Sequence, residues 1–421
     1  MNLVLGTLEL TTIGGVGTYL ATVAEHLERL GHGVTILTEE AGEMAALATE
    51  RGLRVVTDPA ELPDACDAVY AQDTPTAYAL ADHYRGVPQA FCLHSVEHDR
   101  WVVPQVPGVT SATVTLHDGA ARYAGSMSHV PEVIRLRQPV DLRRFSPRGP
   151  IGEQPRRALV LGNYVSGNRF ELVSRACADA GIEVVRRGLQ GDGFTVSPEM
   201  DMNDSDIVIG KSRVIVEAMA CGRAAYVYDH NGGDGWVTPE RYAAQEAVNF
   251  DGETAPSRDA RSMREDLRAY SPEMGSATRD LAIAHHSARA HCEALVELFS
   301  RIAPRSEPAG APLDELSRLT RAQWQADARA LGFEHEAKLL RAELGLRNTE
   351  GAQLQEETAR ARQRAAEAEQ RAAAAEREAD QARQTAAQLE SDAATFRASH
   401  RASAVVARQL NALRRSRRES R

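Results

Sequence analysis

The chain has 421 residues, of which 43% are hydrophobic and 26% charged, with a formal net charge of −10. That length exceeds one ordinary domain, and the apolar share fills cores in part of the chain but not in all of it. No run of about 18 apolar residues occurs, and no N-terminal segment joins a charged start, an apolar run and a small-residue cleavage site, so a soluble, cytoplasmic protein is expected. The five cysteines (Cys66, Cys92, Cys177, Cys221 and Cys292) lie far apart without the close pairing of a zinc or redox motif, and read as reduced, buried fillers.

The first third alternates short β-rich runs with amphipathic helical ones, the rhythm of parallel βαβ units covered on both faces. A strand opens at Leu3 to Leu5, and a Gly-rich turn leads into a helix from Thr18 to Leu30. Gly31 stops that helix, and a second strand begins at Val34. Further strands are predicted at 53–56, 68–71, 89–93, 112–116 and 134–136. Turn residues then take over from Gln138-Pro139 to Gly149-Pro150, marking a linker. The alternation resumes with strands at 158–161, 183–186, 206–209 and 224–228, a second Rossmann-like domain. The fold class is therefore α/β, with two Rossmann-like doubly wound domains: residues 1–148 and residues 149–302.

A Pro- and Gly-rich linker follows at 303–312. Helical sequence spans 313–400, and from Leu354 to Phe396 apolar residues recur at steps of four and three, mostly as alanines such as Ala365, Ala368, Ala375 and Ala379. That heptad predicts a long α-helical coiled coil and self-association through 354–396, with a break between Arg347 and Gly351. An Ala-rich single helix is the alternative. The basic tail, 401–421, carries seven arginines against Glu419. It is read either as the solvated end of the coil or as a peripheral contact with an anionic membrane. Nucleic acid is not expected as a partner, because the rest of the chain is acidic or mixed.

Four segments carry the chemistry, and a fifth is a weaker candidate. Gly14, Gly15 and Gly17 sit between the first strand and the first helix, where glycines let backbone approach a ligand and the helix start favours an anion; a tight turn alone would also explain them. Lys211 and Arg213 flank a helix start after the 206–209 strand, at the sheet edge where open α/β folds place ligands, and Glu217 follows one turn on. Two cations there suit a diphosphate. His94 ends a strand as a polar or general-base candidate, with His117 and Asp118 as a weaker pair. The run from Asp229 to Trp236 reads as a polar strand-to-helix loop suited to sugar hydroxyls, with Trp236 available for stacking. No Asp-x-Asp metal motif stands out after a strand in a nucleotide-binding context, so no catalytic metal is expected.

Residues 12–19, Thr-Ile-Gly-Gly-Val-Gly-Thr-Tyr, resemble the N-terminal Gly-Gly-x-Gly loop of family 4 glycosyltransferases of the GT-B fold. Four later segments agree in order: 89–94 ending in His94, 138–147 (Gln-Pro-Val-Asp-Leu-Arg-Arg-Phe-Ser-Pro), 217–222 (Glu-Ala-Met-Ala-Cys-Gly), and Gly232-Gly233. The resemblance covers roughly residues 1–300. It implies an acceptor domain, a donor domain and a UDP- or GDP-sugar held between them by Gly14, Gly15, Gly17, Arg169, Lys211, Arg213, Glu217, Gly232 and Gly233, for retaining transfer to a glycan, lipid-linked or small-molecule acceptor. Closure of the domains would bring His94 and the glycine loop onto the sugar and phosphates.

Two departures stand out. Ile209 occupies the place of a glutamate that contacts the donor sugar in retaining members, and Asn163 follows Gly162 where an arginine is usual. They keep open a second reading, a catalytically degenerate scaffold that binds nucleotide or glycan and assembles partners through its coil.

Overall fold

The structure is a computed structural model. It describes residues 1–96, 101–127, 130–162, 165, 167–188, 193, 195–229, 232–255, 258–305, 312–347, 362–389 and 391. The chain divides into two compact units. One comprises Met1–Gln72, Val87–Val96 and Thr110–Pro304, and the other Asp73–Gly86, Glu97–Val109 and Arg305–Arg421.

The first unit holds two sheets. β1 (Asn2–Leu10), β2 (Gly33–Ala41), β3 (Arg54–Val56), β4 (Ala68–Ala71), β5 (Gln89–Leu93), β6 (Ala112–Thr115) and β7 (Val133–Arg135) pair in parallel in the order β3-β2-β1-β4-β5-β6-β7. Their apolar runs are buried on both faces, as parallel strands under helices require. α1 (Gly15–Arg29) lies against this sheet and stops where Gly31 adopts φ +88°. The second sheet contains β8 (Arg157–Leu161), β9 (Glu183–Arg187), β10 (Ile207–Gly210), β11 (Ala224–Asp229) and β12 (Gly232–Trp236), in the order β12-β11-β10-β8-β9. Strand order reverses between β1 and β4, and again between β8 and β10. Those two switch points open the crevices in which such sheets bind ligands.

β12 was not visible in the sequence. The 229–236 segment, read as a loop, instead turns back and runs antiparallel to β11. Its glycines are the reason: Gly232 takes φ +113°, and a Cβ on Gly233 would lie 2.7 Å from the Val227 carbonyl oxygen. Backbone runs against backbone there, and the composition that suggests a loop is what the close approach needs.

Two strands of chain cross between the sheets. The 136–141 segment meets the stretch before α11 (Ala288–Arg301), where the Val140 N–H donates to His286 O at 2.8 Å and the Ala288 N–H to Val140 O at 3.0 Å. α11 then packs on α1, placing Cys292, Leu295, Leu298 and Phe299 in the core of the first sheet.

In the second unit, α3 (Thr74–His83) is capped by the Asp73 carboxylate, which accepts from the Thr76 N–H at 3.0 Å. It packs with α12 (Leu313–Arg347) around Tyr78, Ala81, Val106, Val109, Leu313 and Leu316. A further helix, α13, covers 362–389 and runs antiparallel to α12: Arg329 meets Glu378 at 3.1 Å, Arg383 meets Asp327 at 3.4 Å, and Leu389 reaches the Leu313 cluster. Ala365, Ala368, Ala375 and Ala379 of the predicted seam are buried in this single chain. The ends of that seam, most of the 303–312 linker and all of 401–421 lie outside the described residues. Among the described residues no helix is long and apolar enough to cross a membrane.

Candidate functional site

Both switch points face one cavity. Residues 11–14 leave the carboxyl end of β1, and Gly14 caps α1 in an extended conformation with no acidic residue in the first helical turn. Across from it, α7 (Arg213–Ala220) starts beyond β10. Gly210 makes the approach of β10 to β8 possible, since a Cβ there would lie 2.8 Å from the Leu161 carbonyl oxygen. The space between has a volume of about 170 Å³ and is lined by Gly14, Gly15, Arg51, Arg144, Arg213 and Glu217 among others.

Arg213 is the clasp of this cavity. It is 8% exposed and donates to three groups: Glu217 Oε1 at 2.7 Å, Thr22 Oγ1 of α1 at 2.8 Å, and the Pro139 carbonyl at 3.4 Å. One guanidinium therefore ties α7, α1 and the crossing segment together. Glu217 is buried beside it, and burial pushes its pKa up against the opposing pull of Arg213. Its carboxylate bonds no other group among the described residues, and it faces the cavity.

Lys211 stands differently from its sequence-predicted partner. Its Nζ lies 3.6 Å from Asp251 Oδ1, and it is not among the residues lining the cavity. Between the two cations the backbone is strained: Ser212 has φ +51° and ψ −124°, and Asn249 and Phe250, packed against it, also have positive φ. The Ser212 hydroxyl does not cap α7; it accepts from Asn249 Nδ2 at 2.7 Å. Replacing Ser212 with glycine is expected to stabilise the protein by about 1 kcal/mol, the relief of strain exceeding the lost hydrogen bond. A rise in melting temperature supports this, and a fall contradicts it.

Arg51 and Arg144 are the site residues that sequence reasoning missed. Arg51 follows α2 (Glu43–Glu50) and pairs with Glu25 at 3.4 Å; burial, then the charge of Arg144, draws its pKa down. Arg144 pairs with Glu199 at 2.8 Å. With Arg213, three arginine–carboxylate pairs surround the cavity. Arg144 lies inside the Asp-Leu-Arg-Arg-Phe segment already singled out, so a signal for it existed, whereas Arg51 has no local motif.

His94 follows β5, half-buried, with its ring edge-on to Tyr19 at 5.0 Å and its Nε2 2.9 Å from Gln72 Oε1. This places it at the β1–β4 switch point beside α1, although it does not line the 170 Å³ cavity. Gly17 packs behind the loop, where an added Cβ would meet Met44 at 2.7 Å. Arg169 donates to the Asp229 carbonyl at 3.0 Å at the end of β11. Gly232 and Gly233 are buried in β12, and Trp236 is 5% exposed, edge-on to Tyr226 and donating to Asp266 O at 2.8 Å, so its ring is a core element rather than a stacking platform. Asn163, and His230 with Asn231, lie outside the described residues.

No family model matches the chain, and no curated protein matches it in sequence. Solved structures do. An alpha-glucosyltransferase in complex with UDP and a 13-mer DNA containing a HMU base superposes with a TM-score of 0.52 at 12% identity, over 72% of this chain and 100% of that one. The fold is GT-B. An alpha-glucosyltransferase in complex with UDP-glucose and DNA containing an abasic site gives the same TM-score and identity over 71% and 99% of the two chains. At 12% identity the likeness concerns the fold. It also corrects one expectation: the acidic or mixed composition outside the basic tail argues against nucleic acid as a partner, yet both of these GT-B structures contain DNA. The net charge of a whole chain does not report on one groove within it.

Proposed function

We propose that the chain is a glycosyltransferase that moves a sugar from a nucleoside diphosphate donor, a UDP- or GDP-sugar, to an acceptor hydroxyl, with retention and without a catalytic metal. The observation that carries this reading is the arginine-ringed cavity between the Gly14–Gly15 loop and α7, at the switch points of a GT-B fold. Sugar ligands of this size need about 300–1,000 Å³. The inner cavity therefore takes the diphosphate, and a wider cleft of about 790 Å³ sharing Arg51 and Arg144 takes the rest. As the bond from the anomeric carbon to the phosphate oxygen breaks, negative charge gathers on the leaving diphosphate. Arg51, Arg144 and Arg213 offset it in a half-closed site, where loss of one such donor costs about 3 kcal/mol of transition-state stabilisation. Glu217 in this reading receives ribose hydroxyls, and His94 meets the sugar or the acceptor. In this reading the half built on the first sheet binds acceptor and the half built on the second binds donor.

A second reading has one specific observation behind it. Ile209 is fully buried between Val160 and Tyr226 in the centre of its sheet, so nothing at that position reaches a donor sugar. A non-catalytic nucleotide-binding module would show the same feature. The full chain incubated with UDP-, GDP- and dTDP-sugars separates the two, by release of nucleoside diphosphate. Release from one donor, reduced at least tenfold in Arg144→Ala, supports the transferase; binding without release supports the module.

A further inference from the structure

We infer that Glu25 and Glu199 set the affinity of the nucleotide site: each holds one of its arginines while the cavity is empty and yields it to the diphosphate of the donor. Arg51 and Arg144 line both the inner cavity and the wider cleft beside it, whereas Glu25 and Glu199 line only the cleft. Arg51 Nη1 lies 3.4 Å from Glu25 Oε1, and Arg144 Nε lies 2.8 Å from Glu199 Oε2. Both guanidiniums are thus held by groups that stand outside the inner cavity. With Glu217 on Arg213, the three arginines of the rim meet three carboxylates, and their formal charges cancel. An anion entering the cavity gains little from a neutral pair, because the carboxylate repels it nearly as strongly as the guanidinium attracts it.

The three pairs differ in how readily they part. Arg213 is buried and also tied to Thr22 and Pro139, so its pair with Glu217 stays. Glu25 has a second partner: its Oε2 accepts from Arg29 Nη2 at 3.2 Å, and it is not stranded on leaving Arg51. Glu199 faces an open cleft of about 790 Å³, where water solvates it. Arg144 keeps its hold on the Val196 carbonyl through Nη2 at 3.0 Å, which leaves its guanidinium in place once Glu199 has gone. Diphosphate binding is therefore an exchange, phosphate for carboxylate, on two guanidiniums already in position.

The identity of the incoming anion rests on the transferase reading; the pairing of the arginines does not. Titration calorimetry of UDP and GDP against the full chain makes the test. Glu25→Gln and Glu199→Gln keep the shape of the side chain and remove the competing charge, and each is expected to bind the preferred nucleotide roughly five- to tenfold more tightly than the unaltered protein. Glu28→Gln controls for net charge. Glu28 lines the same cleft and pairs with no arginine among the described residues, so its replacement is expected to change affinity by less than about twofold. A folded Glu25→Gln or Glu199→Gln protein that binds no more tightly than the unaltered chain overturns the inference and leaves the transferase reading standing, as does a Glu28→Gln protein that matches them. Where one of the two variants fails to fold, the other decides. Absence of nucleotide binding by the unaltered chain and every variant overturns the inference and the transferase reading together.

Discussion

Replacing Arg213 with alanine is expected to lower stability by about 3–5 kcal/mol, the range seen when one partner of a buried ion pair is removed. Two effects combine. Glu217 is left buried without its hydrogen-bonded counter-charge, and the bonds that join α7 to Thr22 and to Pro139 are lost together. For a chain of this size the melting temperature is expected to fall by roughly 10 °C. The pH dependence gives the effect its signature. Burial raises the pKa of Glu217 above that of an unfolded glutamate, so the folded state of the variant binds the proton more readily than the unfolded state. The deficit is thus greatest at neutral pH and shrinks as pH falls toward the ordinary carboxylate range. Arg213→Ala combined with Glu217→Gln is expected to recover about half of the loss at pH 7. Equal melting temperatures for the unaltered protein and Arg213→Ala would show that the clasp contributes nothing.

Acidification from pH 7 to pH 4.5 is expected to destabilise the protein by several kcal/mol through two buried histidines at the crossing between the sheets. The His286 Nδ1–H donates to Gln138 O at 2.8 Å, and its Nε2 accepts from Tyr242 Oη at 2.9 Å. His291 is held likewise by Arg137 O at 3.0 Å and Tyr19 Oη at 3.0 Å. Both rings are neutral in the fold. Burial, reinforced by Arg137 and Arg135 near His286 and by Arg213 near His291, brings each pKa down to about 4. An unfolded histidine titrates near 6.5. The sign follows: the unfolded chain takes up protons first, so the contribution is fully present above pH 6.5 and is lost as pH falls toward 4. Each histidine contributes on the order of 3 kcal/mol by this linkage. Urea unfolding at pH 7 and pH 4.5 checks it, with His286→Gln and His291→Gln each expected to lose less on acidification than the unaltered chain. Parallel losses in all three proteins would assign the acid sensitivity elsewhere.

The strands were legible because parallel strands buried on both faces are short apolar runs between turn residues. Ala68–Ala71 and Gln89–Leu93 stand where the sequence places them. β12 was hidden by its glycines, which suit a loop by composition and suit a close backbone approach by geometry. The alanine seam was legible as a buried face. A heptad states which side of a helix is apolar and not whether the helix that packs on it belongs to another chain or to the same one. At the site, the place of Lys211 beside Arg213 at a helix start suits a diphosphate, yet Asp251 holds it, and the cavity is lined by Arg51 and Arg144. Arginine is abundant in this sequence, and Arg51 reaches the cavity from the end of α2 through space. No local pattern reports such a convergence.

The central claim is that the cavity between the Gly14–Gly15 loop and α7 binds the diphosphate of a nucleotide donor. Titration calorimetry of UDP and GDP against the full chain and against Arg144→Ala tests it most directly, because Arg144 is a half-buried rim residue whose loss leaves the Arg213 clasp intact. The account predicts binding of one nucleotide, weakened roughly 10- to 100-fold in Arg144→Ala, as expected for loss of a charged hydrogen bond of about 1.5–3 kcal/mol. Equal affinity in the two proteins, or no binding of either nucleotide, would contradict it.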